Sequence, residues 1–184
     1  MERSIAIAEM VEADLTRLAE CWALARRRDE ELPRLDSVLA QELGDAAERT
    51  FVIERVGPLK FRFGIASDRA LLRLGFEVSG RELNENPPWP MNIKAILERA
   101  TLARASAELM ILAQTSLGEE VRVSVHLFPV ADVSGKCSGF IGFVHAFGRS
   151  GETRDEFGII THTAIAAAVL AQPEARGRYA HAGM

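Results

Sequence analysis

The sequence predicts an α+β domain in which five antiparallel strands form one sheet, with helices on one face and flanking helices at both ends of the chain. Three observations lead to this fold class. Apolar residues make up 48% and charged residues 26% of the 184 residues, which is the composition of a globular domain. The spacing of the apolar residues changes from helical to alternating near residue 50. Two alternating segments, a helical middle and three further alternating segments then follow in order.

The N-terminal flank, residues 1–46, is predicted to be helical. Between Val11 and Arg28 the apolar side chains recur at the spacing of one helix face. These side chains are Leu15, Leu18, Ala19, Trp22 and Ala25. Asp36 can cap a second short helix, which ends at Gly44 because glycine favours the left-handed conformation that closes a helix.

The core, residues 47–148, opens with a predicted hairpin. Residues 50–56 favour a strand, Gly57 and Pro58 favour a turn, and residues 59–66 alternate between apolar and polar side chains. The apolar members of that alternation are Leu59, Phe61, Phe63 and Ile65. The two strands are therefore expected to pair antiparallel, with Phe61, Phe63 and Ile65 facing the core.

The middle of the core is predicted to be helical. Ser67 can cap a short helix over residues 68–74, and three prolines between residues 84 and 90 exclude regular structure there. The apolar spacing over residues 92–105 then predicts a longer helix, which we expect to cross the inner face of the sheet.

Three strands complete the predicted sheet, over residues 108–115, 121–130 and 139–147. The first and the last are apolar on both sides, which is typical of a strand covered on both faces. The helices of the core cover one face of the sheet, and the other face is expected to be covered by the N-terminal helix, a C-terminal helix or another chain. Thr153 and Glu156 have the spacing of a capping box, so the segment 149–184 is predicted to hold a helix that ends near residue 172 and a frayed tail.

Several classes of protein are excluded by composition. The net charge of −4 disfavours nucleic-acid binding, because neutralising phosphates needs a basic surface. No apolar stretch approaches the roughly 20 residues of a membrane span, and the charged N-terminus does not resemble a secretory signal. Two distant cysteines, Cys21 and Cys137, suit a reducing compartment. We expect a cytoplasmic protein without a membrane or nucleic-acid partner.

Side chains with catalytic or metal-binding chemistry are few. The four histidines form no HExxH motif, and the chain contains no nucleophile elbow and no phosphate-binding glycine motif. His126 is expected on the outer side of its strand, and His145 is expected to be a core histidine. We therefore predict no catalytic residue, no metal, no cofactor and no enzyme activity.

A ligand cavity, if the domain has one, is expected between the sheet and the middle helix. Its candidate lining is the inward apolar set together with the proline-rich loop: Phe61, Phe63, Ile65, Trp89, Met91, Ile96, Val123 and Val125. The loop over residues 87–91 is rigid because of its prolines. It could close such a cavity as a lid or fill it as a hydrophobic plug.

A homodimer is expected from the apolar outer side of the sheet. The helical stripe of Leu15, Leu18 and Trp22 and the strand residues Phe128 and Phe143 are the candidate interface. Large contiguous apolar patches are rarely left bare on a monomer. Either the helix folds back over its own sheet or two chains share the cover, and we expect the shared arrangement.

Three segments resemble one bacterial family. They are Trp22 with the following basic residues and Leu-Pro-Arg-Leu-Asp at 32–36, Phe-Arg-Phe-Gly-Ile at 61–65, and Gly-Phe-Glu-Val-Ser-Gly-Arg-Glu-Leu at 75–83. With the order of the elements, they resemble a PAS domain family known chiefly from alphaproteobacteria, many members of which are known only as domains of unknown function. The resemblance runs from Trp22 to Phe147.

This resemblance implies sensory or regulatory work. It implies a cavity that binds a small ligand, and flanking helices that pass the signal to a signalling protein not identified by the sequence. Some PAS domains hold flavin through a cysteine on the middle helix, whereas Cys137 lies at a strand turn, so no flavin is expected. Two alternatives stay open: an interaction adaptor that binds no ligand, and a small α+β cavity enzyme, which would need an inward ionisable pair.

Overall fold

A computed structural model describes residues 2–27, 30–67, 70, 80, 82–83, 93–115, 120–148, 160–162 and 167–169. Five strands form the body of one antiparallel sheet in the order β2-β1-β5-β4-β3. Their bounds are Thr50–Gly57 (β1), Lys60–Ala66 (β2), Ala107–Thr115 (β3), Glu120–Ala131 (β4) and Cys137–Gly148 (β5). This confirms the predicted sheet, including the three contiguous C-terminal strands.

The first helix, α1, spans Glu2–Ala25 and lies against one side of the sheet, which we call the outer face. Val11, Leu18 and Ala25 on one side of the helix are buried, as the apolar spacing predicted. They pack with Ile141 and Phe143, which β5 presents on its outer side. The outer face of the sheet is thus covered by a helix of the same chain.

The opposite side of the sheet, the inner face, packs against a second long helix. This helix, α3, spans Ile93–Ala103 and buries Ile93, Leu97 and Ala100. These side chains share one hydrophobic core with inward residues of β1 to β5. The predicted helix over residues 92–105 is confirmed within two residues at each end, and the sheet is covered on both faces, as the doubly apolar strands predicted.

Between α1 and β1 the chain forms α2, Leu35–Leu39, and a 3-10 helix over Gly44–Arg49. The prediction that Asp36 caps a helix ended by Gly44 was wrong. The N-cap residue of α2 is Arg34, the helix already ends at Leu39, and Gly44, with a φ of +58°, begins the 3-10 helix. Ser67 caps the next turn as predicted, because its Oγ accepts a hydrogen bond from the backbone N–H of Ala70 at 3.1 Å. The rest of that predicted helix and the proline segment lie outside the described residues.

The β1–β2 hairpin has an irregularity that the alternating pattern does not reveal. Ile53 pairs with Phe63 but Phe51 pairs with Ala66, so β2 holds one extra residue between these two pairs. Such a bulge reverses the alternation beyond it. Ile65, expected to face inward, is therefore 71% exposed, and Ala66 packs against the core in its place. The inward assignment of Ile65 was wrong.

The prediction of a C-terminal helix was wrong at the six residues that the structure describes in this segment, which form strands instead. Ile160–His162 and Ala167–Val169 are strands, β6 and β7, and both pair antiparallel with β3. The unpaired edge of β3 supplies backbone hydrogen-bond partners that a helix would not use. His162, expected on a helix, pairs in β6 with Gln114. The predicted domain boundaries remain a prediction.

Candidate functional site

The predicted cavity lining is partly assembled in the structure. Phe61, Phe63, Val123 and Val125 are all buried in the inner core, and Ile96 of α3 packs against them from its half-buried position. Ile65 lies on the other side of β2, as described above. Trp89 and Met91 lie outside the described residues.

Aromatic rings occupy much of this inner core. Phe51, Phe61, Phe63 and Phe140 are fully buried, and the rings of Phe51 and Phe63 lie 6.0 Å apart in a tilted arrangement. Gly142 on β5 makes room for this packing, because a Cβ there would lie 2.3 Å from the ring of its cross-strand neighbour Phe51. These four rings contribute to one hydrophobic core that all five strands of the sheet share with α3.

The position of α3 over the inner face is fixed by an ion pair. Arg55 of β1 donates two hydrogen bonds to Glu98 of α3, at 2.6 and 3.2 Å, in a bidentate arrangement. Glu98 also accepts the backbone N–H of Leu59 in the hairpin turn at 3.1 Å. The hydrogen bonds from Arg55 hold the pKa of the Glu98 carboxyl below its usual value. This pair ties the inner helix to the first hairpin.

The five residues predicted at a dimer interface lie together on the outer face, but they contact each other within one chain. Leu18, Phe128 and Phe143 are buried, and Leu15 and Trp22 are half-buried against them. The Trp22 ring lies 6.0 Å from that of Phe128, and its Nε1 donates a hydrogen bond to the Pro129 carbonyl at 2.7 Å. The expectation that another chain covers this surface is corrected, because α1 is long enough to cover it. Whether two chains associate elsewhere stays a prediction.

Polar contacts of α1 with the core were missed by sequence reasoning. Nε of Arg49 donates to the Asp14 carboxylate at 3.1 Å, with side-chain exposures of 3% and 13%. Arg17 donates from Nε and Nη2 to the Glu42 carbonyl at 3.0 and 2.8 Å. No local pattern links residues 14 and 49 or 17 and 42, since their contact depends on how α1 crosses the sheet. These bonds set the register of α1 on the core.

A polar group interrupts the apolar outer face beside α1. The rings of His126 on β4 and His145 on β5 stack 5.6 Å apart, and His145 is only 5% exposed. Nε2 of His126 lies 3.1 Å from the Ser124 hydroxyl and 3.9 Å from the Glu108 carboxylate. Burial lowers the pKa of His126, against the smaller opposing effect of Glu108. Both histidines occupy the positions that the alternation predicted, but their stacking was not foreseen.

Other reactive chemistry is limited in the part of the chain that the structure describes. Cys21 and Cys137 are free thiols, and burial raises the pKa of each, which reduces the thiolate fraction. Within the described ranges, no group of three or more histidine, cysteine, aspartate or glutamate side chains could hold a metal ion. The described helices include none with the length and apolar character of a membrane span.

Comparison with known proteins gives a family match over most of the chain. The model of a family described as PAS domain matches residues 10–145, which cover β1 to β4, most of β5, α3 and most of α1. No curated protein matches the sequence. The match ends before β6 and β7, so the two strands at the edge of β3 lie outside the family's boundaries.

Similar solved structures include the VqmA dimer of Vibrio cholerae in the absence of its target DNA, with a TM-score of 0.44 and 15% identity over 55% of this chain and 47% of that one. A light-oxygen-voltage domain studied with a flavin analogue has a TM-score of 0.43 and 13% identity, over 57% and 81% of the two chains. The light state of the blue-light photoreceptor Aureochrome1 LOV has a TM-score of 0.43 and 14% identity, over 57% of this chain and 85% of that chain. The match thus spans about half of the VqmA chain.

Proposed function

Because this chain belongs to the PAS domain family, whose members are sensory modules, we propose that it senses a small ligand or a protein partner and passes the signal on through α1. The signal would be read by another signalling protein, in a reducing compartment such as the cytoplasm, where the two free cysteines remain thiols. We assign the chain no catalytic role.

One structural relationship carries this proposal: a single sheet separates the two helices. The inner helix α3 packs on β1 to β5 beside the candidate cavity, while α1 packs on the outer side of β4 and β5. Val144 and Phe143 are neighbours on β5 and point to opposite faces, into the inner and outer cores respectively. A small shift of β5 on the inner side therefore changes the surface on which α1 rests.

A second function, the ligand-free adaptor, is favoured by a different observation. Four phenylalanine rings are fully buried in the described inner core, and close packing of such rings would leave little volume for a ligand. In that case the domain responds to a protein that competes for α1 or for the surface around it.

Native mass spectrometry of freshly purified protein separates the two functions. A sensor that retains its ligand shows a mass above that of the polypeptide, and the excess mass is lost on denaturation. Hydrogen exchange of the α1 amides is then compared before and after the ligand is removed, and a change in their protection supports signalling through α1. A polypeptide mass without adduct and unchanged exchange would favour the adaptor.

We also propose that the chain forms a homodimer, through the side of α1 that faces away from the sheet. Leu24 is 72% exposed on this side, and Met10 and Ala13 lie along the same side of the helix. Pairing of this side would follow a twofold axis and use the same residues in both chains. Sedimentation over a range of concentrations measures the association.

A further inference from the structure

A cleft of about 420 Å³ opens at the end of the sheet where the β4–β5 turn meets the segment that follows α1. Leu32 and Ala131 are buried and belong to its lining. The backbone here is firmly paired, because the N–H of Ala131 donates to the Pro33 carbonyl at 2.8 Å and Arg34 forms a bridge with Ala131. The cleft therefore has a fixed apolar floor.

Three guanidinium groups surround that floor. Arg27 comes from the end of α1, Arg34 from the segment before α2, and Arg104 from the end of α3. Arg104 is distant in sequence from the other two arginines, so only the fold brings it beside them. Arginine presents several N–H donors in a planar fork that matches the geometry of a carboxylate.

Arg104 occupies a backbone conformation that favours glycine. Its φ is +52°, and it closes α3 through two hydrogen bonds, from its own N–H to the Thr101 carbonyl and from the Ala105 N–H to the Ala100 carbonyl. This is the left-handed position at a helix C-terminus, where glycine is usual and a side chain is disfavoured. A residue held in a disfavoured conformation suggests that its side chain has a function.

The carboxylates beside the cleft are already engaged by other groups. Asp132 accepts three hydrogen bonds within its turn, from the N–H and hydroxyl of Ser134 and from the N–H of Lys136, and these bonds hold its pKa below the usual value. Glu31 pairs with Arg104, and Glu30 accepts the backbone N–H of Arg27. Asp132 and Glu30 are therefore committed to the backbone around them.

The arginines retain free donors. Arg34 pairs with Asp36 through one nitrogen, and Arg104 pairs with Glu31. Among the residues that the structure describes, none forms an ion pair with the side chain of Arg27. The cleft thus offers guanidinium N–H groups above an apolar floor, with Glu31 as the internal competitor for one of them.

We propose that this cleft binds a small organic acid, with its carboxylate held by Arg104 and Arg27 in place of Glu31. The concave shape and the volume favour a small molecule over an extended chain. This site is separate from the interior cavity of the proposed function and does not depend on it.

Titration of the isotopically labelled protein with succinate and with citrate, followed by backbone amide chemical shifts, tests the site. Saturable shifts are expected at residues 30–32, 34, 104 and 131–135. Arg104→Gly should weaken binding about tenfold, the usual effect of losing a charge-assisted hydrogen bond. Because glycine suits this conformation, the same variant should melt at an equal or higher temperature than the wild type.

Glu31→Gln gives the opposite prediction, because removing the competing charge frees Arg104 and should tighten binding several-fold. Arg99→Ala is the matched control, since Arg99 is an exposed arginine of α3 outside the cleft. The affinity of this variant for succinate and citrate should equal that of the wild type. Equal affinities in the wild type and Arg104→Gly, or shifts outside the cleft, would overturn the proposal. So would binding of an acidic peptide under conditions where succinate and citrate do not bind.

Discussion

The Asp14 carboxylate of α1 accepts a hydrogen bond from the Arg49 guanidinium at 3.1 Å, and both side chains are largely withdrawn from water. Arg49 ends the 3-10 helix directly before β1, so this pair joins the outer helix to the start of the sheet. A hydrogen bond between two charged groups is stronger than one between neutral groups. The pair therefore holds α1 in one position rather than allowing it to slide along the apolar face.

Asp14→Asn should lower the free energy of unfolding by about 2 kcal/mol, because it weakens a charge-assisted hydrogen bond in a largely buried position. Urea denaturation followed by circular dichroism measures the change. The matched control is Glu54→Gln, which breaks an exposed pair with Arg62 and should cost less than about 1 kcal/mol. Equal costs in the two variants would show that the Asp14–Arg49 contact is not buried in solution.

The bulge in β2 predicts that two similar apolar residues differ in importance. Phe63→Ala should cost about 3–5 kcal/mol, since it removes a fully buried ring from the inner core. Ile65→Thr should change the stability by less than about 0.5 kcal/mol, because Ile65 is exposed. Urea denaturation of both variants provides the measurement. A large loss in Ile65→Thr would place the bulge elsewhere.

Much of the fold could be predicted from the sequence because its patterns are local. The period of two in β4 and the period of 3.6 in α1 and α3 depend only on residues close in the chain. The bulge at β2 could not be predicted, since it is defined by pairing with β1. The strands β6 and β7 could not be predicted either, because an alanine-rich segment favours a helix until the edge of β3 supplies its hydrogen bonds.

The candidate sites also differ in whether a local sequence pattern could predict them. Phe61, Phe63, Val123 and Val125 were predicted because burial follows from alternation. The arginines of the cleft, at positions 27, 34 and 104, share no spacing, and each is an ordinary surface arginine in its own segment. Sites built from several distant segments become visible only when the chain is folded.

Stability and self-association should respond to different residues of α1. Trp22→Phe should cost about 1 kcal/mol, because it keeps a ring on Phe128 but loses the hydrogen bond to the Pro129 carbonyl. Leu24→Glu should leave the stability nearly unchanged, because Leu24 is exposed, but should weaken the proposed dimer. Urea denaturation and sedimentation are run on both variants. A wild-type monomer at all concentrations, or a Leu24→Glu dimer as tight as the wild type, would contradict the proposed interface.

The stacked histidines predict that the domain loses stability in mild acid. Burial holds the pKa of His126 in the folded chain below its ordinary value of 6.5, which applies in the unfolded chain. Between these two pKa values the unfolded chain binds a proton that the folded chain does not, so lowering the pH favours unfolding. Well above pH 6.5 the ring is neutral in both states, and its contribution is constant.

The free energy of unfolding should therefore be level well above pH 6.5. It should begin to fall as the pH approaches this value and should continue to fall until the pKa of the folded state is passed. His126→Phe keeps an aromatic ring beside His145 and removes the titrating group, so its stability should depend less on pH in this range. Urea denaturation at a series of pH values compares the two proteins, and the pKa of His126 is measured directly by the chemical shifts of its ring. Asp and Glu side chains titrate mainly at lower pH, which separates their effect from that of the imidazole. Parallel pH profiles for the wild type and His126→Phe would contradict the prediction, because they would mean that folding does not change the pKa of His126. A folded-state pKa above 6.5 would show that Glu108 rather than burial controls this histidine.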